Sequence, residues 1–170
     1  MRAPKTCLTM DELRKLTQRI LKDIRVELGD EFDQNFERQG FFSEKWKRRK
    51  SPIRGDGHIL VASGDLRKSI RSRSDESSIT FYSDLSYAGI HNEGGEIKVT
   101  ARMKRFFWHK YYETKNEFWK SMALMKEGKT IKIPRRQFLG MAPEVETEVR
   151  KIIEDNLTQY FEHDFDIATK

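Results

Sequence analysis

The chain has 170 residues, enough for one domain and too few for two of ordinary size. Its hydrophobic share of 36% and charged share of 35% mean a modest core under a heavily charged surface, as in a subunit that gains burial by assembling. The net charge of +6 favours acidic partners, but 33 basic residues against 27 acidic ones are more balanced than a dedicated nucleic-acid binder usually is. The lone cysteine, Cys7, excludes an intrachain disulfide and fits a reducing cytoplasm. No apolar run approaches the ~20 residues of a membrane span. The opening MRAPKTCLTMDELRK lacks the apolar centre of a signal peptide. The expectation is a soluble protein made in the cytoplasm.

Thr9 and Glu12 have the spacing of a capping box, so a helix is expected to begin there. Leu13, Leu16, Ile20, Ile24, Leu28, Phe32 and Phe36 continue it as one apolar face, with a bend expected at Gly29 and an end at Gly40. Residues 41–58 read as an irregular basic surface loop anchored by Phe41, Phe42 and Trp46. Pro52, Gly55 and Gly57 break any regular element in it. After the apolar run at 59–62, Ser63-Gly64-Asp65 marks a turn. A hairpin turn is expected at 75–78, before the alternating strand 79–83. Further short strands are expected around Ile97–Val99 and Ile131–Ile133, the second stopped by Pro134.

Between them, 101–128 is an aromatic-rich helical insert. Met103, Phe107, Tyr111, Thr114, Phe118, Met122 and Met125 fit one helical face, capped by Gly128. The last helix starts at Pro143, a residue suited to the first helical position, and is expected to bury Val145, Val149, Ile152, Ile153, Leu157, Tyr160 and Phe161. Residues 162–170 read as a frayed polar tail. The expected class is α+β: a single domain, 1–170, with an antiparallel sheet of about four strands packed by long N- and C-terminal helices.

YAGIHNEGG, 87–95, poses the functional question. His91 and Glu93 could form an acid–base or metal-holding pair. However, His58, His109 and His163 stand at no ligand spacing from His91, and no cysteine pair exists. The alternative reading is a tight turn at Gly94-Gly95 that needs positive φ. Asn92 and Glu93 would bond free backbone groups around that turn, with Tyr87 and Ile90 packed below it. Ser63 and Ser69 lack a nucleophile motif and read as turn and cap residues. Arg54-Gly55-Asp56 is given no weight as an adhesion tripeptide.

Two surfaces are candidates for contact with DNA or a partner. The first is the basic run of Lys45, Lys47, Arg48, Arg49, Lys50 and Arg54, with Trp46 available to stack on a base. Its alternative is a solvated loop with the aromatics tucked into the core. The second is the insert, where Phe107, Trp108 and Trp119 belong to seven aromatics within fourteen residues. It is a contact surface, a hairpin with its own small core, or both.

Four segments in order, ILVASGDLRKSI, a hairpin, YAGIHNEGG and IPRRQFLGMAPE leading into a final helix, resemble the phage virion-morphogenesis (tail-completion) family. The resemblance covers roughly 30–160 and includes NFERQGFF and Trp46. It carries onto Gly64, Leu66, Arg67, Ser69 and Ile70; onto Tyr87, Ala88, Ile90, His91, Gly94 and Gly95; and onto Pro134, Arg136, Phe138, Leu139 and Gly140. The 101–128 insert departs from the pattern. The resemblance implies an α+β subunit without an active site that completes the tail or joins it to the head as a homo-oligomeric ring. It implies neither cofactor nor metal. The implied partners are other copies, tail-tube and head-connector proteins and DNA in the lumen, with no membrane. Its place would be the host cytoplasm during assembly, then the virion tail. Two rivals remain: a nucleic-acid-binding module built on residues 45–54, and a metal-dependent nuclease using His91 and Glu93.

Overall fold

The computed structural model describes residues 9–48 and 58–168, with side chains through position 162. Helix α1 spans Met10–Arg38 and opens on the expected capping box. The Glu12 N–H donates to the Thr9 hydroxyl at 3.3 Å and the Thr9 N–H to the Glu12 carboxylate at 3.0 Å. Leu16, Ile24, Leu28, Phe32 and Phe36 are buried, whereas Leu13 in the first turn is exposed. The helix does not end on Gly40. Gln39 takes the left-handed conformation at φ 56°, and its N–H closes on the Asn35 carbonyl. Gly40 serves a close approach instead: a Cβ there would stand 2.6 Å from the Glu44 carbonyl oxygen.

That approach makes a small antiparallel hairpin, β1 (Gly40–Phe41) with β2 (Glu44–Lys45), where an irregular loop was expected. The remainder of the basic run, with Arg49, Lys50 and Arg54, lies outside the described residues. A short helix α2 (Asp65–Lys68) leads into β3 (Ile70–Ser74), which pairs antiparallel with β4 (Ile79–Ser83). Asp75 shapes the turn between them, accepting from the Ser77 and Ser78 N–H groups at 2.9 and 2.8 Å. This hairpin lies on α1. Phe81 meets Phe32 edge-on at 5.0 Å, and Arg25 Nε donates to the Ser72 hydroxyl at 2.8 Å.

YAGIHNEGG is not a bare turn. Residues Ala88–Glu93 form helix α3, Gly94 closes it, and Gly95 begins β5 (Gly95–Lys98). The insert follows as two helices, α4 (Ala101–Thr114) and α5 (Glu117–Ala123). Its expected continuous face is broken where Lys115 turns left-handed at φ 53° and Asn116 caps α5 through the Phe118 N–H at 2.9 Å. Strand β6 (Thr130–Ile133) then pairs antiparallel with β5. Helix α6 (Pro143–Ala168) continues through 162–168, where fraying was expected, and Phe161, expected in its buried stripe, is exposed.

The four-stranded sheet is therefore corrected to three separate two-stranded ladders among the described residues. Alternation reports which residues are extended, not which ladders join. Among the described residues each strand of four or five residues has one partner strand, and helix α1 packs on the β3–β4 hairpin. Helices α1 and α6 run antiparallel. Arg19 donates to Gln159 at 2.5 Å and Asn156 to Asp23 at 3.0 Å. The main core joins Ile24, Leu28, Phe32 and Phe36 of α1 to Val145 and Ile152 of α6, with Trp46, Leu66 and Phe138 completing it.

Candidate functional site

The segments that posed the functional question meet at one junction. Loop 134–140 lies across α3 and is held there by backbone groups. The Arg136 N–H donates to the His91 carbonyl at 2.8 Å. The Asn92 side-chain oxygen accepts from the Phe138 N–H at 2.9 Å and the Leu139 N–H at 3.0 Å. Asn92 thus satisfies donors on the neighbouring loop, not the turn next to it. Its amide donates to Glu93 at 2.6 Å, so the Glu93 carboxylate is engaged locally. Gly94 sits under this crossing with φ 74°, and a Cβ there would meet the Arg135 nitrogen at 2.7 Å. Ile90 packs against Gly95, while Tyr87 remains exposed.

From the other side the loop is gripped by α1 and by the residue after β2. Trp46 Nε1 donates to the Gln137 carbonyl at 2.6 Å, and Arg136 Nε to the Lys47 carbonyl at 3.1 Å. Asn35, fully buried, donates to the Phe138 carbonyl at 3.5 Å and accepts from the Phe42 N–H at 2.9 Å. Phe36 touches both Trp46 and Phe138, with ring centroids 5.6 and 5.5 Å apart. Asn35 opens the segment NFERQGFF, but the resemblance assigns it no role. Its signal was a polar residue inside the apolar stripe between Phe32 and Phe36, where burial demands a partner for every polar atom.

His91 and Glu93 do not form the candidate pair. The His91 Nδ1 is buried without a hydrogen-bond partner among the described residues, and His91 shares no hydrogen bond with Glu93. Burial, and then the charge of Arg136, hold its pKa below the usual histidine value, so it is neutral at physiological pH. Among the described residues no group of three or more His, Cys, Asp or Glu is placed to hold a metal ion.

The third segment sits apart from this junction, against α1. Gly64 takes φ 78° at the start of α2 and Leu66 is buried. Arg67 forks onto Asp33 at 2.6 and 2.5 Å and also pairs with Glu37. Ser69 donates to the Leu66 carbonyl at 2.7 Å. Hydrogen bonds from Arg67 lower the Asp33 pKa. That stabilisation is complete above the unfolded carboxylate value of about 4 and is lost as pH falls through the depressed folded value. Both partners are partly exposed, so Arg67→Ala is expected to cost only about 1 kcal/mol in urea unfolding at pH 7, with the difference vanishing near pH 2. Arg67→Lys keeps the charge but loses the fork and should recover less than half of the loss.

The sequence profile of the phage virion morphogenesis family matches residues 7–158. The chain belongs to that family. No curated protein and no solved structure matches it. The morphogenesis family match spans all three segments and the insert between them.

The residues considered for contact with DNA or a partner divide by burial. In this morphogenesis protein Trp46 is a core residue, leaving little of its ring for a base, and Phe107 is buried within the insert. Lys45, Lys47 and Arg48 are exposed, and Lys45 reaches back to the Arg38 carbonyl at 2.7 Å. Trp108 and Trp119 are half-buried, stacked on Tyr112 and Phe107 respectively. No described helix is long and apolar enough to cross a membrane.

Asn92 gives a direct test of the junction. Asn92→Ala would leave two backbone N–H groups without their acceptor, a loss of about 2–3 kcal/mol in chemical denaturation. Asn92→Asp retains the acceptor but exchanges the amide that donates to Glu93 for a like charge, so it should recover only part of that loss.

Proposed function

We propose that this chain is a non-enzymatic structural protein that completes the phage tail or joins it to the head, acting as a homo-oligomeric ring. The observation that carries the reading is the use made of the motif residues. Asn92 staples a neighbouring loop, Gly94 permits backbone crossing, and Arg136 and Phe138 are buried in the same junction. Used in this way they fix the outline of a building block, which supports a structural role. A ring needs subunits whose front and back differ and whose contacts close on rotation, which rewards a rigid outline. Tail-tube and head-connector proteins are the partners of such a ring. The exposed cations at Lys45, Lys47 and Arg48 suit a surface facing DNA in the lumen.

Electron microscopy of particles assembled without this protein tests the proposal. Abnormally long tails or tails without heads are expected. Normal infectious particles would refute it. A solution mass several times that of the chain would add direct support for the ring.

A further inference from the structure

The insert is an arm with its own small core, built around Phe107, Trp119 and Ala123 and separate from the main core. Residues 101–129 carry eight lysines and arginines against three acids. Two of those cations are used internally, Lys110 with Glu113 and Lys120 with Glu117. Lys115 lies over the Tyr112 ring. Arg102, Lys104, Arg105, Lys126 and Lys129 make no ion pair among the described residues. The outer face of α4 carries Arg102, Arg105, Phe106, His109 and Tyr112 at helical spacing, with Phe106 49% and Tyr112 64% exposed.

The complement lies on the same chain. Residues 143–162 of α6 hold six acids against two basic residues. Glu148 is paired with Lys151, and Glu144 accepts from Ser43. Glu146, Glu154, Asp155 and Glu162 are exposed and make no ion pair among the described residues, and the Phe161 ring on the same helix is exposed as well. Helix α1 is more balanced, with eight acids against six basic residues; Arg67 takes Asp33 and Glu37, Arg38 takes Glu31 and Asn156 takes Asp23, while Asp11, Glu27 and Asp30 stay exposed among Arg14, Lys15, Lys22 and Arg25.

We propose that the α4–α5 arm of one copy lies along the acidic outer face of α6 in a second copy, with Arg102 and Arg105 against Glu154 and Asp155. This rests on the ring reading and specifies its contact. The two surfaces differ, so the contact is head-to-tail and leaves each copy with one arm and one acceptor face. Unlike charges on opposite surfaces draw the copies together and disfavour arm-to-arm pairing.

The test is sedimentation velocity on the full chain and two double variants, Arg102→Glu with Arg105→Glu and Glu154→Lys with Asp155→Lys. All four side chains are exposed, and circular dichroism checks that the variants fold. The parent should self-associate at about 50 mM salt and do so less at about 500 mM. Each double variant should associate at least about tenfold more weakly, and mixing the two should restore assembly. Association unaffected by either reversal overturns the arm contact and leaves the ring standing. A parent chain that is monomeric up to its solubility limit also overturns it, while the tail phenotype judges the ring separately. DNA binding lost in the arm variant, with self-association unchanged, overturns it in favour of a nucleic-acid contact.

Discussion

Gly94→Ala is expected to destabilise the protein by about 3–5 kcal/mol, combining strained dihedrals with overpacking. Gly94 has φ 74° and ψ −178°, a combination open essentially to glycine alone. Relaxing the dihedrals would not free the site. The added carbon would stand 2.7 Å from the Arg135 nitrogen, 3.0 Å from its Cα and 3.1 Å from the Ile133 oxygen. All three are backbone atoms, and Ile133 is the register partner of Gly95, so yielding would disturb the end of the β5–β6 ladder. Gly89→Ala is the matched control. It lies inside α3 with nothing within 4 Å of a new Cβ, and it should stabilise by about 0.5–1 kcal/mol. Urea unfolding followed by circular dichroism measures both. Equal effects at the two glycines would refute the account of the crossing.

Phe138→Ala should cost about 3–5 kcal/mol, a large share of the roughly 5–15 kcal/mol that holds a domain together. The ring is 1% exposed and lies against Phe36, while the backbone around it is fixed from two directions by Asn92 and Asn35. Because the backbone is held, the cavity cannot close by simple collapse, and the upper part of the range applies. Phe138→Leu retains most of the volume and should lose about 1.5 kcal/mol or less. A Phe138→Ala loss below that of Phe138→Leu would show that the loop is free to move inward.

The helices were readable because they depend on local signals. Thr9 with Glu12 fixes the start of α1, Pro143 marks α6, and 3.6-residue periodicity identifies their buried faces. The β3–β4 hairpin was legible for the same reason, from the Asp75 turn and the alternation in 79–83. Sheet order was not, since nothing in a five-residue strand states which other ladder it avoids. Gly40 misled because glycine both ends helices and permits close approach, and here Gln39 took the first task.

The junction was half legible. The order of YAGIHNEGG and IPRRQFLG pointed to the morphogenesis family, and the demand of Gly94 for positive φ was readable from the paired glycines. The reach of Asn92 to residues 46 and 47 positions later was not, because the local turn offers equally suitable donors. Trp46 shows the same difficulty. A tryptophan among lysines and arginines reads equally as a stacking platform or a core anchor, and its bond to Gln137 is set by the tertiary fold.

The arm leaves and rejoins the body through one narrow neck. Val99 donates to the Lys129 carbonyl at 2.8 Å and accepts from the Gly128 N–H at 2.8 Å, directly above the β5–β6 ladder. Everything from Thr100 to Glu127 is thereby spliced in at a closed point. Changes in its length and sequence are expected to leave the register below unshifted, so that the proposed reach toward a neighbour and the outline of the body would be set by separate segments.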